Sequence, residues 1–351
     1  MSSITKEPEF EPGRAGRVSI RDVARLAGVS QGTVSNTLNH PERVSPAKRA
    51  AVEAAIERLG FIRHEGARHL RAGQSSTLGL LLLDAWNPGF MEVARGVEDS
   101  TAQRGWTLLI SNSARDIERE KAYLRLYAES RVAGVIVVPH DHFATGLHQI
   151  RTGGIPVVVL DRVGPGDQGL SVGVDDVAGG RLVATHLIEL GHRHVVFAGD
   201  ETAATPVHDR LEGMRRAVSA TDGAVRLDVS RTALTVEGGL AVGEQLAATP
   251  AAQRPTAVLA AIDLVAFGIL QALLQNGIRV PEDISLAGYD DIPFARQLSV
   301  PLTTVNRSHY EMGTAAAELL NATLTGVTLR PRHVMFRPKL VIRESTAAPR
   351  P

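Results

Sequence analysis

Short apolar runs of four to seven residues recur along most of this chain, each separated from the next by a segment with helical spacing. This alternation is typical of parallel sheets, because successive parallel strands must be joined by long crossover connections, usually helices. We predict strands at residues 78–83, 107–110, 132–138, 156–160, 194–198, 257–260 and 284–287, and a return strand between lobes at 303–305. With 351 residues, the pattern predicts an α/β body of two doubly wound parallel-sheet lobes that face a cleft.

The charge distribution separates the N-terminal part from this body. The whole chain has 38 basic and 38 acidic residues. Residues 13–73 nevertheless contain 11 Lys and Arg against 5 Asp and Glu, a net charge of +6, which leaves −6 for the remainder. A compact basic module on an acidic body is the electrostatic pattern expected of a DNA-binding headpiece attached to a domain with another task.

Matched start and stop signals predict three short helices in the basic module. The N-cap residues and C-terminal glycines are Ser19 with Gly28, Ser30, and Ser45 with Gly60. Asp22 completes a capping box with Ser19, and Pro46 suits the first turn of the third helix. The arrangement of helix, short turn and helix predicts that the second helix enters the major groove of DNA. The alternative is a solvated helical domain whose caps carry no functional meaning.

Polar side chains on and near the second helix are candidates for DNA contacts. Amide side chains can bond to base edges, whereas hydroxyls and cations suit phosphates. The candidates for bases are Gln31, Asn36 and Asn39, and those for phosphates are Ser30, Thr33, Ser35, Arg43, Lys48 and Arg49.

Residues 20–39 closely resemble the headpiece of the LacI/GalR (lactose repressor) family, including the turn Ala-Gly-Val-Ser at 27–30 and Thr-Val-Ser at 33–35. The resemblance implies that Gln31, Gly32 and Asn36 are the positions that read bases. Gly32 has no side chain with which to do so. Asn36 stands where many members carry Arg, and its amide favours adenine.

The basic stretch 61–74 resembles the hinge helix of the same family. It is too short to be stable alone, and Gly66 weakens it further, so we expect it to order only on DNA. The resemblance implies that two hinges of a dimer meet in the minor groove, where Leu70 wedges between base pairs and Ala67 packs beside it. Alternatively, Leu70 packs between domains. Arg63 and His64 replace the Pro-Asn of many members, which changes the expected groove contacts.

Aspartates follow several predicted strands of the body, where ligands of open parallel sheets bind. They are Asp84, Asp161, Asp200, Asp263 and Asp290. Their carboxylates would accept hydrogen bonds from hydroxyl groups. Asp263 is equally well placed to cap the helix that follows it.

The body resembles the family's effector domain, which is itself similar to periplasmic sugar-binding proteins, in stretches such as 155–162, 186–193, 210–213, 288–291 and 301–304. The resemblance implies that Arg210 binds effector oxygens in a bidentate manner and that Asp290 accepts from hydroxyls. It also implies that Phe90 and Trp86 wall the ring, although Trp86 could instead pack between the lobes. Ile262 stands where sugar-responsive relatives usually have Asn, which weakens the expectation of an ordinary sugar; nearby His208 could supply the lost polar contact.

Several other classes of function find little support. The chain has no cysteine, residues 1–16 lack the apolar stretch of a signal peptide, and no apolar run is long enough to span a membrane. His186, His192 and His194 lack an evident third partner for zinc, and there is no glycine-rich nucleotide-binding motif. We therefore expect no metal, cofactor or catalytic activity. A solute-binding protein and, less favoured, a metabolite-processing enzyme remain the alternatives.

The predicted organisation is a tail at 1–16, a headpiece at 17–60, a hinge at 61–74, an effector and dimerisation domain at 75–345 and a tail at 346–351. We expect a bacterial cytoplasmic homodimer that binds a near-palindromic operator as a repressor, controlled by a small molecule such as a carbohydrate. The end of the chain lacks leucine heptads, so a dimer rather than a tetramer is expected.

Overall fold

The computed structural model describes residues 18–61, 75–140, 145–161, 169–200, 205–327 and 331–350. The chain divides into two compact units, Met1–Gly73 and Gln74–Pro351. No helix within the described ranges is long and apolar enough to cross a membrane.

The first unit is helical. Its helices are α1 (Ile20–Ala27), α2 (Gln31–Asn39) and α3 (Pro46–Leu59), with a 3-10 turn at Pro41–Arg43. Their shared core consists of Val23, Ala24, Val34, Val52 and Ala55. The predicted capping box is present, because Asp22 accepts hydrogen bonds from the backbone N–H and hydroxyl of Ser19 at 3.0 and 2.6 Å. Ser45 precedes α3 as predicted, but its side chain makes no capping hydrogen bond.

Two parallel sheets and a small antiparallel pair form the second unit. The six-stranded sheet has the order β11-β5-β4-β3-β1-β2, the four-stranded sheet has the order β7-β6-β8-β9, and β10 pairs with β12. The strands are β1 (Thr77–Leu82), β2 (Thr107–Asn112), β3 (Gly134–Val137), β4 (Val157–Leu160), β5 (Leu170–Val174), β6 (His194–Ala198), β7 (Arg226–Ser230), β8 (Ala257–Ala260), β9 (Ser285–Ala287), β10 (Thr304–Asn306), β11 (His333–Phe336) and β12 (Lys339–Val341). The predicted parallel two-lobed fold is confirmed.

All seven predicted strands and the return strand are observed, whereas β5, β7, β11 and β12 were not predicted. The edge strand β7 contains Arg226 and Asp228, and β5 contains Ser171 and Gly173, so neither has a continuous apolar run. The strand prediction depends on a continuous apolar run. That run is lost in β7 because it is an edge strand with polar residues, and in β5 because it contains small residues.

Helices cover both faces of each sheet. They are α4 (Pro88–Ala102), α5 (Ile117–Glu129), α6 (Thr145–Thr152), α7 (Asp176–Glu189), α8 (Thr205–Ser219), α9 (Val236–Ala248), α10 (Asp263–Gln275) and α11 (His309–Leu324). The pairs α4/α11 and α5/α6 belong to the first lobe, and α7/α8 and α9/α10 to the second.

Glycines allow three of these helix pairs to approach closely. A Cβ on Gly180 of α7 would overlap the backbone carbonyl of Arg210 in α8, and one on Gly213 would overlap that of Val177. The same reciprocal arrangement occurs at Gly96 with Gly313 between α4 and α11, and at Gly239 with Gly268 between α9 and α10. The close approach of Gly180 to Arg210 fixes the backbone position of Arg210, whose side chain lines the cavity described below.

Candidate nucleic-acid interface and ligand cleft

Helix α2 is held in place by its N-terminal cap and by the turn before it. Gly28 has a φ of 65°, which lets the chain leave α1 sharply. Ser30 then caps α2, since its Oγ accepts the Thr33 N–H at 3.1 Å. Val34 and Thr37 are buried on the side of α2 that faces the other helices. The opposite face of α2 is therefore presented outward in a fixed orientation.

The residues of α2 that were predicted to read bases divide into two groups. Gln31, Gly32 and Asn36 are exposed on the outward face. Asn39, by contrast, donates to the carbonyl of Ser35 at 2.8 Å, so part of its hydrogen-bonding capacity is used within the helix.

The predicted phosphate-binding cations of the first unit are exposed. Arg43 lies 3.7 Å from Glu42, and Arg49 lies 3.8 Å from Glu53. Exposed ion pairs of this kind contribute little stability and compete weakly with a phosphate. Lys48 is likewise exposed. Ala67 and Leu70, predicted for the minor groove, lie outside the described residues.

Between the two lobes of the second unit lies a small cavity of about 40 Å³. Its described lining residues come from both lobes and from the connection between them, and they are Leu83, Asn87, Phe90, Arg115, Asp161, Pro206, Val207, Arg210, Leu234, Ile262, Asp290, Arg307 and His309. Four residues predicted for effector binding, Phe90, Asp161, Arg210 and Asp290, are thus brought together.

Arg210 is the centre of a buried ionic network in the second lobe. Its side chain is 3% exposed, and its Nε donates to Asp176 at 3.0 Å. One terminal nitrogen donates to the carbonyl of Ala261 at 2.7 Å, and the other lies 3.6 Å from Asp290. The guanidinium also stacks 4.0 Å from the ring centre of Tyr289. Burial alone would lower the pKa of Arg210, but Asp176 and Asp290 outweigh burial and raise it.

Arg307, which was not predicted, links the two lobes. It follows β10, and one terminal nitrogen donates to Asp161 of the first lobe at 2.7 Å and to Asp176 of the second at 3.1 Å. Burial would raise the pKa of Asp161, but the Arg307 charge more than offsets it, so the pKa of Asp161 is lowered. A second link between lobes is formed by Asn87, whose amide donates to Asp290 at 3.2 Å.

Three charged residues that line the cavity have positive φ angles, a backbone conformation that residues with side chains rarely adopt. The φ angles are 60° at Arg115, 62° at Asp161 and 121° at Asp290. Residues other than glycine rarely occupy this region, and such strain is concentrated at functional sites. The surrounding structure, rather than local preference, therefore holds these three residues in place.

Three other residues that were predicted to bind the effector are not among the residues that line the cavity. Trp86 is 84% exposed and His208 is exposed, and neither is among the residues lining the cavity. Trp86 is also not packed between the lobes. Asp263 is completely buried behind the cavity and does not cap α10, whose N-cap position is Ile262. Its carboxyl accepts from the Thr304 hydroxyl at 2.6 Å and from the Ile292 N–H at 2.9 Å.

Asp263 is expected to make stability depend on pH. Burial, together with the charge of Asp290, raises the pKa of Asp263 well above its usual value. A carboxyl with a raised pKa in the folded state loses its stabilising contribution as pH rises from the unfolded pKa through the folded pKa. We expect Asp263→Asn to resemble wild type at low pH and to become the more stable protein as pH rises. Urea unfolding between pH 4 and 8 measures the difference; a difference that does not change with pH would contradict this expectation.

The histidines considered for zinc have other partners. His192 lies between the Thr256 hydroxyl and the Ala347 carbonyl at 2.9 and 3.0 Å, and His194 pairs with Asp228 at 2.8 Å. Among the described residues, no group of three or more His, Cys, Asp or Glu is arranged to hold a metal ion.

Comparison with known proteins agrees with this two-part organisation. Residues 19–64 match the family model of bacterial regulatory proteins, lacI family, and residues 184–346 match that of the periplasmic binding protein-like domain. The ribose operon repressor of Escherichia coli K12 is 34% identical over 330 residues, covering 93% of this chain and 99% of the relative. The transcriptional repressor PurR of Vibrio campbellii is 32% identical over 333 residues, covering 93% and 98%.

Solved structures show the same similarity. The operator-bound lac repressor dimer with the anti-inducer ONPF has a TM-score of 0.75 and 26% identity, covering 95% of this chain and 100% of that one. A ribose-bound regulator from Enterococcus faecium has a TM-score of 0.69 and 28% identity, covering 78% of this chain and 99% of that one.

Proposed function

This chain belongs to the LacI family of bacterial regulatory proteins, and on that basis we propose that it is a transcriptional repressor that binds operator DNA and responds to a small molecule. Helix α2 carries the proposal. Its exposed face presents Gln31 and Asn36, while its cap and buried face fix its orientation, as a helix that reads the major groove requires.

We propose that the protein acts as a homodimer on a near-palindromic operator. The lac repressor to which this chain is similar was solved as a dimer bound to operator. Two headpieces related by twofold symmetry would read two half-sites. The roles of Ala67 and Leu70 in the minor groove remain part of this proposal and are supported by the resemblance of the hinge. The named relatives are repressors rather than enzymes, and we propose the same for this chain, acting in the cytoplasm.

The cavity between the lobes is the proposed effector site. Related regulators are bound to ribose and to cellobiose, which suggests a polyhydroxy compound. Asp161 and Asp290 would accept from hydroxyls, Arg210 would donate to ring or carbonyl oxygens, and Phe90 would pack against an apolar face. At about 40 Å³ the cavity is too small for such a ligand, so binding requires the lobes or side chains to move. Through the dimer, that movement would change operator affinity.

The Asn36→Ala variant tests the DNA-binding proposal. Since a well-placed amide contact to a base contributes about 1–3 kcal/mol, we expect operator affinity to fall by about five- to 150-fold for each half-site of the dimer. The operator is first selected from random duplex DNA by the purified wild-type protein, and affinities are then measured by fluorescence anisotropy.

Glu53→Ala provides the matched control, because Glu53 is exposed on α3 rather than on α2. It should bind the selected DNA at least as well as wild type. Equal affinity of Asn36→Ala and wild type, with the headpiece still helical, would contradict base reading by Asn36. Failure of the wild-type protein to select any sequence would contradict the proposed function itself.

A further inference from the structure

Three arginines line the cavity between the lobes, although only one was predicted there. Arg115 lies in the turn after β2, Arg210 lies on α8, and Arg307 follows β10. Only two carboxylates, those of Asp161 and Asp290, are among the described lining residues. Among the described residues that line the cavity, three are therefore positively charged and two are negatively charged.

The carboxylates that balance two of these arginines lie behind the lining. Asp84 binds Nε of Arg115 at 3.2 Å, and Asp176 binds Nε of Arg210 at 3.0 Å. Neither Asp84 nor Asp176 is a described lining residue. Each arginine is thus anchored through the inner edge of its guanidinium. The terminal nitrogens of Arg115 can still donate to a ligand, whereas one terminal nitrogen of Arg210 already donates to the Ala261 carbonyl and the other lies 3.6 Å from Asp290.

Arg307 is the least satisfied of the three. Its side chain is 3% exposed, and its Nε is buried with no hydrogen-bond acceptor among the described residues. One terminal nitrogen binds Asp161 and Asp176, whereas the contacts of the other with described residues are long, 3.5 Å to Asp161 and 3.9 Å to Asp290. A buried charged donor without an acceptor costs free energy, which an incoming acceptor would recover.

We propose that the effector is a small polyhydroxy carboxylate, a sugar acid, and that Arg307 determines this specificity by binding the carboxylate. The planar fork of a guanidinium matches a carboxylate in a bidentate manner. Arg115 or Arg210 assists from its terminal nitrogens, while Asp161, Asp290 and Asn87 bind the hydroxyls. The effector's carboxylate takes over part of the pairing that Asp161 supplies to Arg307, which releases one of the links between the lobes. This inference rests on the proposed effector site.

Calorimetric titration of the full-length protein tests the proposal with pairs of probes that differ in the acid group. D-Gluconate and D-glucuronate are compared with D-glucose, and D-ribonate with D-ribose; D-ribose 5-phosphate tests for an anion of another kind. We expect at least one sugar acid to bind at least tenfold more tightly than its neutral counterpart. In Arg307→Gln the preference should fall to within about threefold, since the charge-assisted bonds are lost. Arg307→Lys should retain an intermediate preference.

Arg216→Gln is the matched control, because Arg216 is exposed on α8 and pairs only with Glu212 among the described residues. It should keep the full preference. Should Arg307→Gln fail to fold, Arg115→Gln replaces it, since Arg115 is 27% exposed, and a reduced preference is again expected.

The proposal is overturned if neutral sugars bind as tightly as their acids, if no sugar acid binds, if the phosphate is preferred, or if the preference survives these substitutions. If a neutral sugar released the protein from its selected DNA at a lower concentration than its acid, this inference would be overturned while the proposed function would be supported.

Discussion

Arg210→Ala is expected to lower the free energy of unfolding of the second unit by about 3–5 kcal/mol, the usual cost of removing one partner from a buried ion pair. The substitution leaves Asp176 with Arg307 as its one cationic partner among the described residues, and it removes the donor to the Ala261 carbonyl. Chemical denaturation of the full chain, followed by circular dichroism, measures the loss. In a reporter assay alone, this loss of stability would be mistaken for a loss of the effector response.

The matched control is Arg216→Ala on the same helix. Its ion pair with Glu212 is largely exposed, and such pairs contribute at most about 1 kcal/mol. If Arg210→Ala unfolded at the same urea concentration as Arg216→Ala, the buried network around Asp176 would not exist in solution. Arg210→Lys keeps the charge but not the planar fork, and should recover only part of the loss.

Gly180→Ala is expected to destabilise the second lobe by about 3 kcal/mol, at the upper end of the usual overpacking range. In an ordinary helix the same change would stabilise by up to about 1 kcal/mol. The sign reverses here because the new Cβ would overlap the carbonyl of Arg210, a backbone atom that cannot rotate away. Since Arg210 must shift with its helix, affinity for the effector should fall as well. Both are measured on the same purified variant, by denaturation and by titration.

Arg181→Ala, beside Gly180 but exposed, serves as the control and should change stability by less than about 0.5 kcal/mol. A Gly180→Ala protein as stable as wild type would mean that α7 and α8 do not approach as closely as described.

Residues of the cleft could be predicted from the sequence where they directly follow a strand, because the strand pattern shows which end of the sheet they occupy. Asp161 follows β4 of the six-stranded sheet and Asp290 follows β9 of the four-stranded sheet. The carboxyl ends of parallel strands border the crevice where ligands bind, so the strand pattern places both residues at the cleft. His208 shows where this reasoning fails. It lies two residues before Arg210 on α8, and two residues turn an α-helix by about 200°. His208 therefore lies on the opposite side of α8 from Arg210, although the two residues are close in sequence.

Two arginines of the cleft could not be predicted for a different reason. Arg115 reaches the cavity because it and Ala114 both have positive φ, at 60° and 51°, without a glycine to signal the turn. Arg307 follows a three-residue strand that is too short to define which side of the chain faces inward. In both cases tertiary contacts, rather than local sequence preference, select the conformation.

The first lobe described above contains the last long helix and strand β11, both of which follow the four-stranded sheet of the second lobe in the chain. During translation, the sheet β7-β6-β8-β9 can be completed once residue 287 has left the ribosome. The first sheet must wait for residues 333–336, although its other strands were synthesised earlier. The four-stranded sheet of the second lobe can thus be completed first, and residues 345–347 later bond to its edge strand β9. Until α11 has been synthesised, the face of α4 that packs against it remains uncovered, so this apolar surface of the first lobe is exposed in the nascent chain.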